Sequence, residues 1–267
     1  MSHVISIAAP AKKTGKTATA INLATSFAIS EKKTLLIDCD PGQGAGYGIS
    51  ILTYPARSSG FYSVMTDRSG ISEQILSSSL DFLKVLPAGA DFSKADFLFG
   101  DTDGDFFKLR ETIQSIKDDF DYIVLDSPSS MPNLLKNVMM ATDWVVIPLN
   151  TDFKTPKELL TPFSEIKNLF QLLITLRDQF QVFPKIIGIL LNKCEQIEDL
   201  SDKFLTQILE SINEFILSTR IPASKDISDG FVLGKPAAFQ NIGSDATSAY
   251  MDLAEELMDK INCMHQN

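Results

Sequence analysis

The sequence predicts an α/β fold of three layers, a mostly parallel central sheet with helices on both faces. Short apolar runs rich in β-branched residues alternate along the chain with longer stretches of helical period. Strands buried on both faces by covering helices read in this way. Two of the runs also end in a carboxylate just before a turn, at Leu35-Leu36-Ile37-Asp38 and Ile123-Val124-Leu125-Asp126, and open parallel sheets gather their ligands at such strand ends.

Taken in order, strands are expected at Val4–Ala8, Thr34–Ile37, Leu83–Leu86, Tyr122–Leu125, Trp144–Pro148, Ile186–Leu191 and Phe215–Arg220. The first helix should begin at about Gly15, because Ala20, Ile21, Ala24, Phe27 and Ala28 recur on one helical face. The stretch from Gly46 to Asp81 has no clean period and reads as a short helix with loops. A long helix is expected between Pro156 and Phe180, and another closes the chain from Asp245 to Ile261. No repeat, low-complexity tract or linker interrupts the pattern, so residues 1–267 are expected to form one domain.

Hydrophobic residues make up 44% of the 267, enough for a substantial core. Cys39, Cys194 and Cys263 are isolated and odd in number, which excludes a disulfide framework or a paired-cysteine metal site and fits a reducing cytosol. No basic leader and no 18-residue apolar stretch is found, so a soluble cytoplasmic protein is expected, with no membrane association. The net charge of −10, from 24 Lys+Arg against 34 Asp+Glu, repels DNA and anionic lipid. His3 and His265 stand at opposite termini and make an implausible metal pair.

Chemistry gathers first at Ala8-Ala9-Pro10-Ala11-Lys12-Lys13-Thr14-Gly15-Lys16-Thr17, which follows a strand and opens a helix. Backbone N–H groups from Lys13 through Ala18, with the helix dipole, make a site for anionic oxygens. Gly15 lets the backbone approach phosphates without a Cβ, Lys16 places a point charge on the β/γ oxygens, and Thr17 offers its hydroxyl to Mg²⁺. The full phosphate-loop pattern would place glycine where the sequence has Pro10. Asp38, Asp40 and Asp126 converge at the strand ends on the same crevice, where hydrated Mg²⁺ needs carboxylates. Asn192 follows the strand Ile186–Leu191 and can offer a base edge both a donor and an acceptor. The string Asn192-Lys193-Cys194-Glu195 looks like the element with which GTPases read guanine.

Together these segments resemble the ParA/MinD family of deviant-Walker P-loop ATPases over nearly the whole chain. The likeness includes Gly15-Lys16-Thr17 with Thr19-Ala20-Ile21-Asn22-Leu23-Ala24, Asp38-Cys39-Asp40-Pro41, Leu86-Pro87-Ala88 and Asp126-Ser127-Pro128. It continues through Ala141-Thr142-Asp143, Gly188-Ile189-Leu190-Leu191-Asn192, Ile221-Pro222 and Gly234-Lys235-Pro236. The resemblance implies a P-loop NTPase fold, ATP with Mg²⁺ as cofactors, and a homodimer closed by ATP. It also implies a partner protein that stimulates slow hydrolysis, in partitioning or positioning of DNA or a large cargo. Lys16 and Thr17 would bind phosphate and Mg²⁺, Asp38 and Asp126 would act through metal-bound water, Asp40 would position the attacking water, and Asn192 would read adenine. The family's signature lysine falls on Ala11 and its two glycines on Lys12 and Lys13. The charge supplied across the dimer would then come from Lys12, displaced by one residue, or from Lys154 in the loop after Pro148. The family's DNA-binding arginines fall on Ala223 and Asp226, and acids surround Arg220, Lys225 and Lys235, which counts against a DNA surface. Leu253, Leu257 and Ile261 form an apolar stripe that reads as core packing rather than a membrane anchor. Two rivals remain: a regulatory or adaptor protein that binds ATP with little hydrolysis, and a GTP-using switch.

Overall fold

The structure, a computed structural model, describes residues 2–9, 14–42, 44–47, 49, 60–89, 106–129, 131–151, 156–194 and 212–266. Among them, eight strands form one sheet: β1 (His3–Ile7), β2 (Thr34–Asp38), β3 (Leu76–Ser77), β4 (Leu83–Leu86), β5 (Tyr122–Asp126), β6 (Trp144–Asn150), β7 (Lys185–Cys194) and β8 (Ile216–Pro222). The order across the sheet is β3-β4-β2-β5-β1-β6-β7-β8. Every neighbouring pair is parallel except β3 with β4. From β1 the chain goes to β2 on one side, while β6, β7 and β8 extend the sheet on the other. That reversal opens a crevice at the carboxyl end of β1.

Successive side chains of the central strands enter different cores. Val4, Leu35, Ile37, Ile123, Leu125, Val145 and Ile147 join one apolar cluster, and Ile5, Ile7, Leu36, Val124 and Val146 join the other. The period of two along each strand makes this division, and it explains why both kinds of position are apolar. The helices α1 (Lys16–Ile29), α2 (Gly44–Tyr47), α3 (Gly60–Met65), α4 (Ile71–Gln74), α5 (Lys108–Gln114), α6 (Pro132–Met140) and α7 (Pro156–Phe180) follow in chain order. On one face lie α5, α6 and α7, through Leu109, Val138, Met139, Leu169 and Leu176. On the other lie α1 and the C-terminal helix Asp245–Gln266, through Ala20, Leu23, Phe27, Leu253, Leu257 and Ile261. The three-layer α/β fold read from the sequence is therefore the fold observed, and the stripe Leu253, Leu257 and Ile261 is fully buried. The edge strand β8 is protected by Glu256, whose carboxylate accepts from the N–H groups of Ser218 and Thr219, both at 2.8 Å.

Three expectations need correction. Among its described residues the aperiodic stretch from Gly46 to Asp81 contains the end of α2, the short helices α3 and α4 and the edge strand β3, and two residues of strand are too few to show a period. α5, α6 and the helix Lys225–Leu233 add to the elements read from period. Finally, His3 and His265 are neighbours: the C-terminal helix runs back to the start of β1 and sets the two rings 5.1 Å apart between centroids. Burial, followed by the nearby His265, lowers the His3 pKa. Among the described residues, no group of three or more His, Cys, Asp or Glu side chains is arranged to hold a metal ion.

Candidate functional site

The site begins where β1 hands over to α1. Gly15 caps that helix with φ of 90°, a left-handed conformation that favours glycine. No side chain caps the helix and no acid lies in its first turn, so the positive end of the helix dipole favours an anion there. Lys16 follows as the first helical residue and is buried, and Thr17 is half-buried beside it.

Asp38 and Asp126 end β2 and β5 and stand directly opposite one another in the parallel register, with Asp126 also opposite Ile7 of β1. Both carboxylates are completely buried. The Thr17 hydroxyl lies beside the Asp126 carboxylate, but neither carboxylate oxygen completes a well-formed hydrogen bond among the described residues. Burial and then the facing Asp38 drive the Asp126 pKa well up, while the Thr17 hydroxyl and the Lys16 ammonium pull it down. Two adjoining buried acids beside a hydroxyl are a costly arrangement by themselves and a suitable one for a hard cation. With two carboxylates at the strand ends, the donor set fits Mg²⁺, which takes one or two acids and completes its shell with water and phosphate oxygens.

Asp40 lies at the turn after β2. Its Oδ1 accepts from the Gly42 N–H at 2.8 Å and its Oδ2 from the Ser129 hydroxyl at 3.3 Å, while its own N–H donates to Asp38 Oδ1 at 3.2 Å. The turns after β2 and β5 are thereby tied together. Ser129 was not anticipated; its signal is its place three residues beyond the strand-ending Asp126. Cys39, between the two acids, is buried, and burial and the surrounding carboxylates push its thiol pKa well up, which leaves it unreactive.

On the other side of Gly15 lies a cavity of 630 Å³, lined among others by Thr14, Ala18, Asn192, Ile221, Pro222 and Tyr250. The Asn192 amide nitrogen donates to the Thr14 carbonyl at 3.0 Å and to the Thr19 hydroxyl at 3.3 Å. Its Oδ1 is buried without a partner among the described residues, an acceptor that a purine amino group would satisfy. Thr19 and Tyr250 were not anticipated as site residues, and nothing local in the sequence marks them. Thus Thr14, Gly15, Ala18 and Asn192 line one cavity, and Lys16, Thr17, Asp38 and Asp40 gather about Asp126 beside it. Lys12, Lys13 and Lys154, with Glu195, lie outside the described residues.

A family profile described as an AAA domain matches residues 2–176, well over half of the chain. The chromosome partitioning protein ParA of Myxococcus xanthus is 29% identical over 246 residues, covering 92% of this chain and 84% of that protein. In fold, the chain is similar to a substituted McdA from Cyanothece in complex with ATP, with a TM-score of 0.81 at 16% identity, covering 97% of this chain and 96% of the other. It is also similar to the septum site-determining protein MinD of Pyrococcus horikoshii complexed with Mg-ADP, with a TM-score of 0.75 at 21% identity and 96% of each chain covered.

Proposed function

We propose that this chain, which belongs to the ParA/MinD family of P-loop ATPases, binds Mg-ATP and uses its turnover as a dimerisation switch in partitioning or intracellular positioning of DNA or a large cargo. Residues 1–267 act as one ATPase domain in this reading. The observation that carries it is the buried pair Asp38 and Asp126 at the mouth of an uncapped helix whose first residue is Lys16. Lys16 and the first-turn N–H groups would hold the phosphates, Thr17, Asp38 and Asp126 the metal, and Asn192 the base. Bound Mg²⁺ would supply charge neutralisation on the β/γ oxygens.

Asp40 orients the attacking water and takes up its proton; Gly42 and Ser129 hold the carboxylate in place for that. Hydrolysis of this kind is mostly positioning and electrostatic stabilisation, so it stays slow until a partner protein or the second protomer completes the site. Lys154, or failing it Lys12, supplies charge to the partner's phosphates in place of the lysine that Ala11 replaces. The acidic balance of −10 argues against a broad DNA-binding face.

The test is the oligomeric state of the full chain by light scattering with ATP, with ADP and without nucleotide, alongside ATP and GTP hydrolysis. A dimer with ATP alone and preferential ATP turnover are expected. One unchanging species that binds neither nucleotide would overturn the proposal. A second reading, an ATP-binding regulatory or adaptor protein with little hydrolysis, is favoured by Ala11 at the signature position; it predicts the ATP-dependent dimer without turnover, even with a partner present.

A further inference from the structure

A second cavity, of 360 Å³, opens at the end of the sheet away from the phosphate loop. It lies where β1, β6 and β7 begin and where the C-terminal helix ends, and Ser2, Trp144, Lys185 and His265 line it. Asp38 and Asp126 stand at the opposite, carboxyl ends of their strands, so the length of a strand, about 15–20 Å, lies between the two places. Asp143 builds the wall. Its N–H donates to the Val4 carbonyl at 3.0 Å and its carbonyl accepts from the Lys185 N–H at 2.9 Å. Its Oδ2 accepts from the Val4 N–H at 2.9 Å and from the Lys117 ammonium at 3.1 Å. Three strand starts are thereby tied together, and the charge of this acid is spent on Lys117. The His265 ring meets Trp144 edge-on, with centroids 5.8 Å apart, and closes one side.

Two features of the lining call for a ligand. Neither Arg110 of α5 nor Lys185 has a carboxylate partner among the described residues; Lys185 instead stands over the Trp144 ring, 5.5 Å from its centroid. In a chain of net charge −10, a hollow lined by Arg110, Lys117 and Lys185 against the single acid Asp143 reverses the sign of the field locally. Independently, the Ser2 hydroxyl and the Trp144 indole N–H are buried without a hydrogen-bond partner among the described residues, although buried polar groups are nearly always paired. The indole N–H can only donate, so an oxygen acceptor is what it lacks. We propose that this cavity is a second ligand site, for a small organic oxyanion, a carboxylate or a phosphate monoester. Arg110 and Lys185 meet its charge, and its apolar body lies against Ile113, Met140 and Val182. The volume is that of a small-molecule site. None of these residues belongs to the phosphate loop or the strand-end acids, so the inference stands apart from the nucleotide reading.

Trp144 is the sole tryptophan of the chain, so its fluorescence reads this cavity directly. The full chain is titrated with phenyl phosphate and, separately, with benzoate, each with and without Mg-ATP, and calorimetry in parallel detects binding that leaves the emission unchanged. Saturable binding of at least one probe, retained when Mg-ATP is present, is expected; phenyl phosphate alone names a phosphate monoester, benzoate alone a carboxylate, and both the shared oxyanion chemistry. Arg110→Gln and Lys185→Gln, both at exposed positions that tolerate substitution, should each weaken the probe about fivefold. Lys167→Gln, an exposed cation of α7 outside the cavity, should leave the affinity unchanged. Absence of saturable binding of either probe at millimolar concentration overturns the inference. So does displacement of the probe by Mg-ATP, which would put it in the nucleotide crevice, or an affinity that Arg110→Gln and Lys185→Gln change no more than Lys167→Gln does.

Discussion

The Cβ that Gly15 lacks would stand 2.6 Å from the side-chain nitrogen of Asn192. In the proposed reading one residue separates the phosphate end of the crevice from the base end, and both ends depend on its being glycine. Its φ of 90° adds a second constraint, since a side chain in the left-handed region costs roughly 1–2 kcal/mol. Gly15→Ala is therefore expected to weaken ATP binding by more than about tenfold, with only a modest fall in melting temperature. Calorimetric titration against ATP checks this, and unaltered affinity would show that the loop and Asn192 shift without consequence.

Asp126 makes a prediction of opposite sign for stability and function. Its pKa is raised in the fold, so the folded chain binds more protons than the unfolded one between the ordinary carboxylate value and the raised one, and stability falls as pH rises through that window. Above the ordinary carboxylate range the buried acid is therefore a burden on the protein without ligand. Asp126→Asn should raise the melting temperature of the nucleotide-free protein by roughly 2–4 °C, corresponding to about 1 kcal/mol for a chain of this size. The same variant should lose the additional stabilisation that Mg²⁺ gives in the presence of ATP. Differential scanning fluorimetry with and without Mg²⁺ reads both effects.

Asp40→Ala should trap the ATP-bound dimer and abolish turnover, since among the described residues of the turn after β2 Asp40 alone carries a carboxylate. Ser129→Ala removes the hydroxyl donating to Asp40 Oδ2 and should slow turnover by about fivefold, the worth of an ordinary hydrogen bond, with nucleotide affinity kept. Steady-state hydrolysis and size-exclusion chromatography with ATP check the pair. Undiminished turnover in Asp40→Ala would remove the assignment of Asp40.

At the sheet edge, burial pushes the Glu256 pKa up, but hydrogen bonds from the Ser218 and Thr219 N–H groups, with Lys260 nearby, outweigh it and hold the pKa below the ordinary glutamate value. A depressed carboxylate contributes stability that is present above the unfolded value and lost as pH falls through the folded one. Unfolding by urea should therefore show a loss of stability on acidification below about pH 4.5 that is smaller in Glu256→Gln. At neutral pH that variant should be destabilised by about 1 kcal/mol or less, because the group is partly open to solvent. Identical pH profiles would show that the two backbone bonds do not depend on the charge.

The elements nearest the crevice could be read from the chain because each is announced locally. Leu35-Leu36-Ile37-Asp38 and Ile123-Val124-Leu125-Asp126 each say that a buried strand ends in an acid, and parallel strands bring such ends to one edge of the sheet whatever their order. Gly15-Lys16-Thr17 says that a helix begins after a glycine, which is sufficient to expect an anion site there. By contrast, Ser129 meeting Asp40 and His3 meeting His265 join segments 89 or more residues apart, and no period or motif marks either member of either pair.

The sequence by itself determined the layers and the end of the sheet at which the chemistry lies, because backbone geometry turns a period of two or of 3.6 directly into faces. It also determined which residue types stand at the strand ends. Only the tertiary structure decided which polar groups satisfy one another: that Asp38 and Asp126 share a register, that Ser129 holds Asp40, and that Asn192 spends both its hydrogens behind it. The reason is physical. A buried polar group takes whatever partner the strand order brings within 3 Å or so, and strand order follows from how the whole core packs rather than from any local pattern.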